Sequence, residues 1–342
     1  MRKRAKSTPL REQLGVWLKD RLRYERALRS PDHLYLSLAN RLERVEAAPV
    51  GLGYACCWPF TSRLHAPTVQ PQLGVRLLQR CLADAPIERC PEPESGQEAP
   101  EVSVLIGHRG RERLPLLLAT LESIAAQQHV SFECIVIEQD DSSCLEGLLP
   151  TWVRHIQSPL GEGKTGYNRS KAFNDGSRAA RGHILVLHDN DMLIPKGYLA
   201  RIVDKARIGY QAINPKRYVF YLSQNHSEAV IARKVGFDAE PASAIVQNLE
   251  GGGSMAITRD AYWAIGGMDE SFEGWGGEDN EFWDRCQLLR CWRWGYEPII
   301  HLWHQSQPLK LASDNVNVSL AHAKIRTPRQ QRVEQLKMDT LT

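Results

Sequence analysis

The stretch Gly274-Trp275-Gly276-Gly277-Glu278-Asp279-Asn280-Glu281 sets two adjacent carboxylates behind three glycines and a tryptophan. Glycine allows backbone shapes and close approaches that other residues do not, so the segment reads as a tight loop delivering Glu278 and Asp279 into a cleft. Acids held in this way suit proton transfer. An acidic first helical turn accounts for the same residues, since Glu and Asp favour helix N-termini and Glu281-Phe282-Trp283-Asp284-Arg285 reads as helical. A second acidic cluster, His188-Asp189-Asn190-Asp191, tips the balance toward chemistry. It ends the apolar run Ile184-Leu185-Val186-Leu187. Two aspartates one residue apart at a strand end can grip a hard divalent cation, and that cation can neutralise a diphosphate.

Other apolar runs also end in reactive residues. His108-Arg109-Gly110-Arg111 follows Val102 to Ile106, and Glu138-Gln139-Asp140-Asp141 follows Phe132 to Ile137. The guanidinium groups of Arg109, Arg111 and Arg169 can pair bidentately with phosphate oxygens, or serve only as surface charge. An acid after the second run can accept from a nucleobase or a ribose hydroxyl. His301 and His304 follow Pro298-Ile299-Ile300, where an imidazole can complete a metal shell or simply sit in the core.

The elements that must position these groups follow from the pattern. From residue 102 onward apolar strands alternate with helical stretches, Leu114 to Gln127 and Asn168 to Ala180, which predicts a three-layered α/β fold around a mainly parallel sheet. Ligands of such sheets bind beyond the carboxyl ends of the strands, where the polar clusters fall. Upstream, Leu14, Trp17, Leu18 and Leu22, then Leu34, Leu36, Leu38, Leu42 and Val45, suit two helices separated at Ser30-Pro31-Asp32, with a third over Val75 to Ala83. Residues 1–87 are therefore expected as a helical extension. Residues 88–100, rich in Pro and Glu, read as a linker, 101–310 as the catalytic domain, and 311–342 as a helical tail on the surface.

Composition excludes several classes. A formal charge of +3 over 342 residues, with no basic run interleaved with aromatics, argues against nucleic acid as a partner. Ten basic residues crowd positions 2 to 29. Asp20 and Glu25 interrupt them, which favours a solvated helix face over peripheral contact with an anionic membrane. No segment has the length of a membrane span or a signal-peptide core, so a cytoplasmic location is expected. The eight cysteines form no CxxC pair and lack the density of a disulfide scaffold.

Taken together, residues 101 to 310 resemble the GT-A nucleotide-sugar glycosyltransferases, in particular the branch joining family 2 to the β-1,4-galactosyltransferase C-terminal domain. The matching residues are His108-Arg109-Gly110-Arg111-Glu112-Arg113-Leu114, Tyr167-Asn168-Arg169-Ser170-Lys171-Ala172-Phe173-Asn174-Asp175-Gly176, and His188 to Pro195. Gly251-Gly252-Gly253-Ser254, Ile265-Gly266-Gly267-Met268-Asp269-Glu270 and Trp275-Gly276-Gly277-Glu278-Asp279 complete the set. The resemblance implies a GT-A type, Rossmann-like sheet, a UDP-sugar donor, Mn²⁺ with Mg²⁺ as an alternative, and a saccharide or glycoconjugate acceptor. Asp191 and His304 would ligate the metal, Asp189 would assist through metal or ribose, and His301 stands where some relatives carry a thioether ligand. Arg109, Glu138 and Asp140 would hold the nucleotide, with Arg169 and Lys171 near the phosphates. Gly252 and Gly253 would pass close to the donor sugar, Trp275 would stack on a sugar face, Glu278 would bind hydroxyls and Asp279 would be the base. Departures from the family pattern are Gly107 in place of Pro, Gly110 in place of Asn, and Glu138-Gln139-Asp140 in place of paired aspartates. The implied activity is inverting transfer of a hexose or N-acetylhexosamine in surface polysaccharide or glycoconjugate synthesis. A retaining transferase similar to the polypeptide N-acetylgalactosaminyltransferases, and a catalytically silent scaffold, are the alternatives.

Overall fold

The computed structural model describes residues 9–94, 99–160, 166–274, 276–305 and 315–339. The chain forms two compact units of interleaved segments. The first comprises Met1–Pro86, Lys216–Leu249 and Trp294–Trp303, and the second Ile87–Pro215, Glu250–Arg293 and His304–Thr342. This division differs from the expected cut at 88–100. Strand pairing is the cause: β10 (Lys216–Tyr221) runs parallel to β14 (Glu297–His301) and antiparallel to β11 (Ala244–Gln247), and β11 pairs with β3 (Ser62–Arg63). Strands expected in the catalytic domain thus share a ladder with the N-terminal region. Elements are numbered along the whole chain.

The first unit also holds α1 (Leu10–Lys19), α2 (Arg21–Arg29), the hairpin β1 (Val45–Ala47) and β2 (Tyr54–Cys56), α3 (His65–Val69), α4 (Pro71–Asp84) and α8 (Gln224–Ile231). The helix expected after Ser30-Pro31-Asp32 does not form, and Leu34–Ser37 makes only one 3-10 turn. The carbonyls an α-helix would use internally are taken from outside. Arg217 donates to the Leu36 and Leu38 carbonyls at 2.6 and 2.8 Å, and the Tyr218 hydroxyl lies 2.8 Å from the Tyr35 carbonyl. Leu36 and Leu38 are fully buried, so tertiary packing overrides the helical spacing.

The second unit is built on a seven-stranded sheet in the order β13-β9-β12-β7-β4-β5-β6. These strands are β4 (Val102–His108), β5 (Phe132–Glu138), β6 (Val153–Gln157), β7 (Ile184–His188), β9 (Ala212–Ile213), β12 (Ser254–Thr258) and β13 (Cys291–Trp292); a short β8 at Met192–Leu193 stands outside this sheet. β12 runs antiparallel to both neighbours, and the other pairs are parallel, giving the mixed, mainly parallel sheet expected. β4, β5 and β7 are buried along their whole length, as uninterrupted apolar runs require. The chain leaves β4 for β5 and β6 on one side and then crosses to β7 on the other. That reversal opens a crevice at the strand ends.

Helices α5 (Leu114–Ala125), α6 (Arg169–Ala179), α7 (Tyr198–Arg207), α9 (Arg259–Ala264), α10 (Glu278–Cys286), α11 (Val316–Ile325) and α12 (Arg329–Asp339) complete this unit. One core joins Leu105, Ile135, Leu185 and Ile257 of the sheet to Phe173, Tyr262 and Phe282 of α6, α9 and α10. Each such buried side chain contributes about 1.5–3 kcal/mol. α10 is fixed at its back by charge. Arg285, fully buried, pairs with Glu281 at 2.7 Å and donates to the Ile265 and Gly267 carbonyls, while Arg332 of α12 reaches the same Glu281 at 2.6 Å. The expected surface tail therefore docks here, with Arg332 and Val333 buried. Among the described residues no helix is long and apolar enough to cross a membrane.

Removing one partner of a buried pair strands the other charge and costs about 3–5 kcal/mol. Arg285→Ala is expected to lower the urea midpoint accordingly, whereas Arg326→Ala, on the exposed face of the tail, leaves it within about 0.5 kcal/mol of the parent.

Candidate active site

The acidic cluster after β7 and the acids that open α10 meet on one side chain. Arg169, the first residue of α6, is nine-tenths enclosed and donates to Asp189 Oδ1 through Nε at 3.0 Å and Nη2 at 2.7 Å. Its Nη1 donates to Asp279 Oδ1 and stands 3.7 Å from Glu278 Oε1, and the guanidinium lies 4.6 Å over the Phe173 ring. Local sequence sets this placement. Asn168 caps α6 by accepting from the Lys171 amide at 2.8 Å and is itself tied to the Glu270 carbonyl at 2.7 Å. Asn174 holds the Met268 carbonyl and Glu270 Oε1. The Gly266-Gly267-Met268-Asp269-Glu270 motif is thus clasped by α6 and serves as scaffold.

Glu278 and Asp279 occupy the first turn of α10 after Gly277, whose φ is 92°. The two interpretations of this segment therefore hold together, since an acidic helix start is also what faces Asp189. Gly251 brings the glycine loop against this turn, because a Cβ there would overlap the Asp279 carbonyl. The Gly253 carbonyl accepts from the Asp189 amide at 2.8 Å, so Gly252 and Gly253 fix the end of β7 from the side. Trp275 lies outside the described residues. Glu278 is buried, and its Oε2 has no hydrogen-bond partner among the described residues. Burial, reinforced by the Asp279 charge and opposed by Arg169, pushes its carboxyl up to about 8.

A second cationic centre lies beside the first. Arg113 donates to Asn190 Oδ1 at 3.1 Å and reaches Asp191 Oδ2 at 3.4 Å, and it lies 2.7 Å from His304 Nδ1, which is also 2.8 Å from the Gln305 carbonyl. Asp191 Oδ2 and His304 Nε2 are 3.3 Å apart. That is close to the separation of two adjacent ligands on one six-coordinate ion with bonds of about 2.1 Å, and a carboxylate with an imidazole suits Mn²⁺. These two residues fit a divalent metal. Asp189, engaged by Arg169, is held outside this pair. His301 belongs to the first unit, where its ring stacks on Tyr221 with centroids 4.2 Å apart. Behind Asp191, His108 is buried; its Nε2 bonds the Gly110 carbonyl at 3.0 Å, and its Nδ1 faces the Asn190 amide at 3.0 Å. Burial holds this imidazole below its usual range, so it is neutral and accepts through Nδ1.

Two expected nucleotide contacts are met differently. Glu138 is fully buried and saturated: Oε2 receives Ser143, His155 and Gln157 at 2.7, 2.8 and 2.7 Å, and Oε1 the Cys144 amide at 2.7 Å. Burial would raise this carboxyl, and the hydrogen bonds from Cys144, Ser143 and His155 outweigh it and hold it below the usual range. It organises the loop after β5. Lys171 points along α6 to Asp175 at 2.6 Å, a helix-surface pair in place of a phosphate contact. Asp140 accepts from the Gly110 amide at 2.9 Å and lies 4.0 Å from Arg109, so these two remain together at the mouth of β4. Arg113, Asn190 and His108 are residues of this cluster to which sequence reasoning gave no role; the position of Arg113 in the basic run after β4 was the available signal.

The model of glycosyl transferase family 2 matches residues 103–266, and a galactosyltransferase domain model, described as the N-terminal domain of galactosyltransferase, matches residues 246–292. Residues 103–292 thus carry the sequence of a family 2-like glycosyltransferase. Among curated relatives of this glycosyltransferase is beta-1,4-galactosyltransferase 3 of Rattus norvegicus, 26% identical over 215 residues, which cover 59% of this chain and 43% of the relative. The Mus musculus protein of the same name matches equally. The chain thus spans less than half the length of these relatives. Similar solved structures include the catalytic domain of Drosophila beta1,4galactosyltransferase 7 complex with xylobiose, with 19% identity, TM-score 0.32 and coverage of 56% of this chain and 63% of that one. GalNAc-T7 with UDP, GalNAc and Mn2+ matches with 14% identity, TM-score 0.46 and coverage of 68% and 50%.

Two outcomes follow from these contacts. Between the ordinary carboxyl value of 4.5 and about 8 the folded protein keeps a proton on Glu278 that the unfolded chain has released. The resulting stability is complete below the lower value and is lost as pH rises through the upper one. In metal-free buffer Glu278→Gln is expected to gain on the parent by a few kcal/mol as melts are taken from pH 5 to pH 9. Separately, a Cβ at position 107 would overlap the Tyr167 hydroxyl and stand 3.4 Å from its Cζ. Gly107→Ala is therefore destabilising by about 1–3 kcal/mol, and Tyr167→Phe in the same chain recovers most of the loss in a double-mutant cycle.

Proposed function

We propose that the second unit is a metal-assisted, inverting transferase that moves a hexose or N-acetylhexosamine from a UDP-sugar to a hydroxyl of a saccharide acceptor, in surface polysaccharide or glycoconjugate synthesis. One observation carries this: a single guanidinium, Arg169, contacts Asp189 of the aspartate pair and both acids at the start of α10. The cluster that would receive a diphosphate and the candidate base are therefore neighbours. The glycosyltransferase matches over residues 103–292 support the reaction class.

Asp191 and His304 would hold the cation, which when bound supplies positive charge for the departing diphosphate. Arg169 and Arg113, the cations already among these acids, pair with phosphate oxygens. Arg109 and Asp140 face the nucleotide at the end of β4. Asp279 takes the proton of the acceptor hydroxyl as that oxygen attacks the anomeric carbon. Glu278, protonated at neutral pH, donates a hydrogen bond to a sugar hydroxyl. One displacement inverts the anomeric carbon, and no covalent intermediate or separate nucleophile is required.

A donor screen that follows UDP release with Mn²⁺ names the sugar, and NMR of the product names the anomer. Inverted configuration is expected; retention would replace this mechanism with that of a retaining transferase, and absence of turnover with every donor would leave a scaffold. Asp279→Asn is expected to lower kcat about 10²–10⁴-fold while UDP and Mn²⁺ binding by calorimetry persist. A variant with unaltered kcat would remove Asp279 as the base.

A further inference from the structure

We infer that α1 is an interfacial anchor that seats the first unit on an anionic bilayer. Leu10, Leu14, Trp17 and Leu18 fall on one stripe of this helix about 100° wide. All are at least half exposed, as is Leu22 just beyond. The buried residue of α1 is Val16, on the opposite side. The apolar stripe thus faces away from the core of its own unit. Exposed apolar residues grouped in this manner mark an interaction surface.

Charge selects the occupant. Arg11 flanks the stripe on α1, and Lys19 of α1 with Arg21 and Arg26 of α2 are exposed close by in the chain. Asp20 and Glu25, which interrupt the basic run in sequence, are withdrawn from the surface. Asp20 is 5% exposed with Arg41 Nε 3.2 Å away, and Glu25 is held by Arg76 of α4 at 2.9 Å and by Arg29 at 3.2 Å. Glu12 is the exposed acid left on α1. What faces outward is leucine and tryptophan with a basic border, the composition of helices that lie in the headgroup layer. Four further basic residues precede α1 in the sequence, at positions 2, 3, 4 and 6. A protein partner with an apolar groove would need no such excess of positive charge.

Sedimentation of the full chain with phosphatidylcholine vesicles, with and without phosphatidylglycerol, tests this independently of any transferase activity. Binding is expected only with the anionic lipid, weakening as salt is raised. Leu14→Glu with Leu18→Glu should reduce it at least about tenfold, and Arg11→Gln about fivefold. Circular dichroism melts of the variants should match the parent, since the substituted positions are exposed. Binding that survives the double substitution, binding indifferent to lipid charge, or no binding to either vesicle overturns the inference. So does a self-association in solution that the double substitution abolishes, which would make the stripe an interface between copies of this chain.

Discussion

Everything at the candidate site turns on one enclosed guanidinium among three carboxylates. Arg169 costs a large desolvation that the charges of Asp189 and Asp279 offset, with Glu278 close by, so the four side chains are stable as a set. The same constraint sets the protonation of the set. With Asp189 and Asp279 taking the direct contacts, Glu278 is left at 3.7 Å and buried, and its proton is the least costly way to remove a remaining negative charge. Two carboxyls adjacent in sequence thereby acquire different chemistry from their surroundings alone.

The fold brings these groups together by simple means. β4 and β7 lie side by side and end at His108 and His188, so the residues just beyond each strand share one crevice. The capped start of α6 then places Arg169 against the end of β7, and the glycine loop before β12 lets α10 approach closely. Buried apolar strands supply rigidity, and the chemistry sits on turns at their ends.

Much of this was legible in the residues. The aspartate pair at 189 and 191 and the acids at 278 and 279 are recognisable because carboxylates after an apolar run or a glycine turn have few structural reasons to be there. The nucleotide-side readings were weaker for a physical reason: sequence tells which side chains can accept or donate, not which are already satisfied. Glu138 is consumed by its own loop, and Lys171 by Asp175 one turn along its helix. Arg113 escaped notice because a 3-10 turn at 111–113 re-aims it toward Asn190 and His304. In the first unit, strands of two or three residues carry too little alternation to be read, and the leucines at 34 to 38 mimic a helix until Arg217 captures their carbonyls.

The clamp behind α10 has a consequence for how the enzyme can diversify. Arg332 of α12 and the Glu281–Arg285 pair hold this helix two and six residues beyond Asp279. The carboxylates at its tip are thereby referenced to the body of the unit. Variation elsewhere around the crevice can then accumulate while the proposed proton acceptor stays in register.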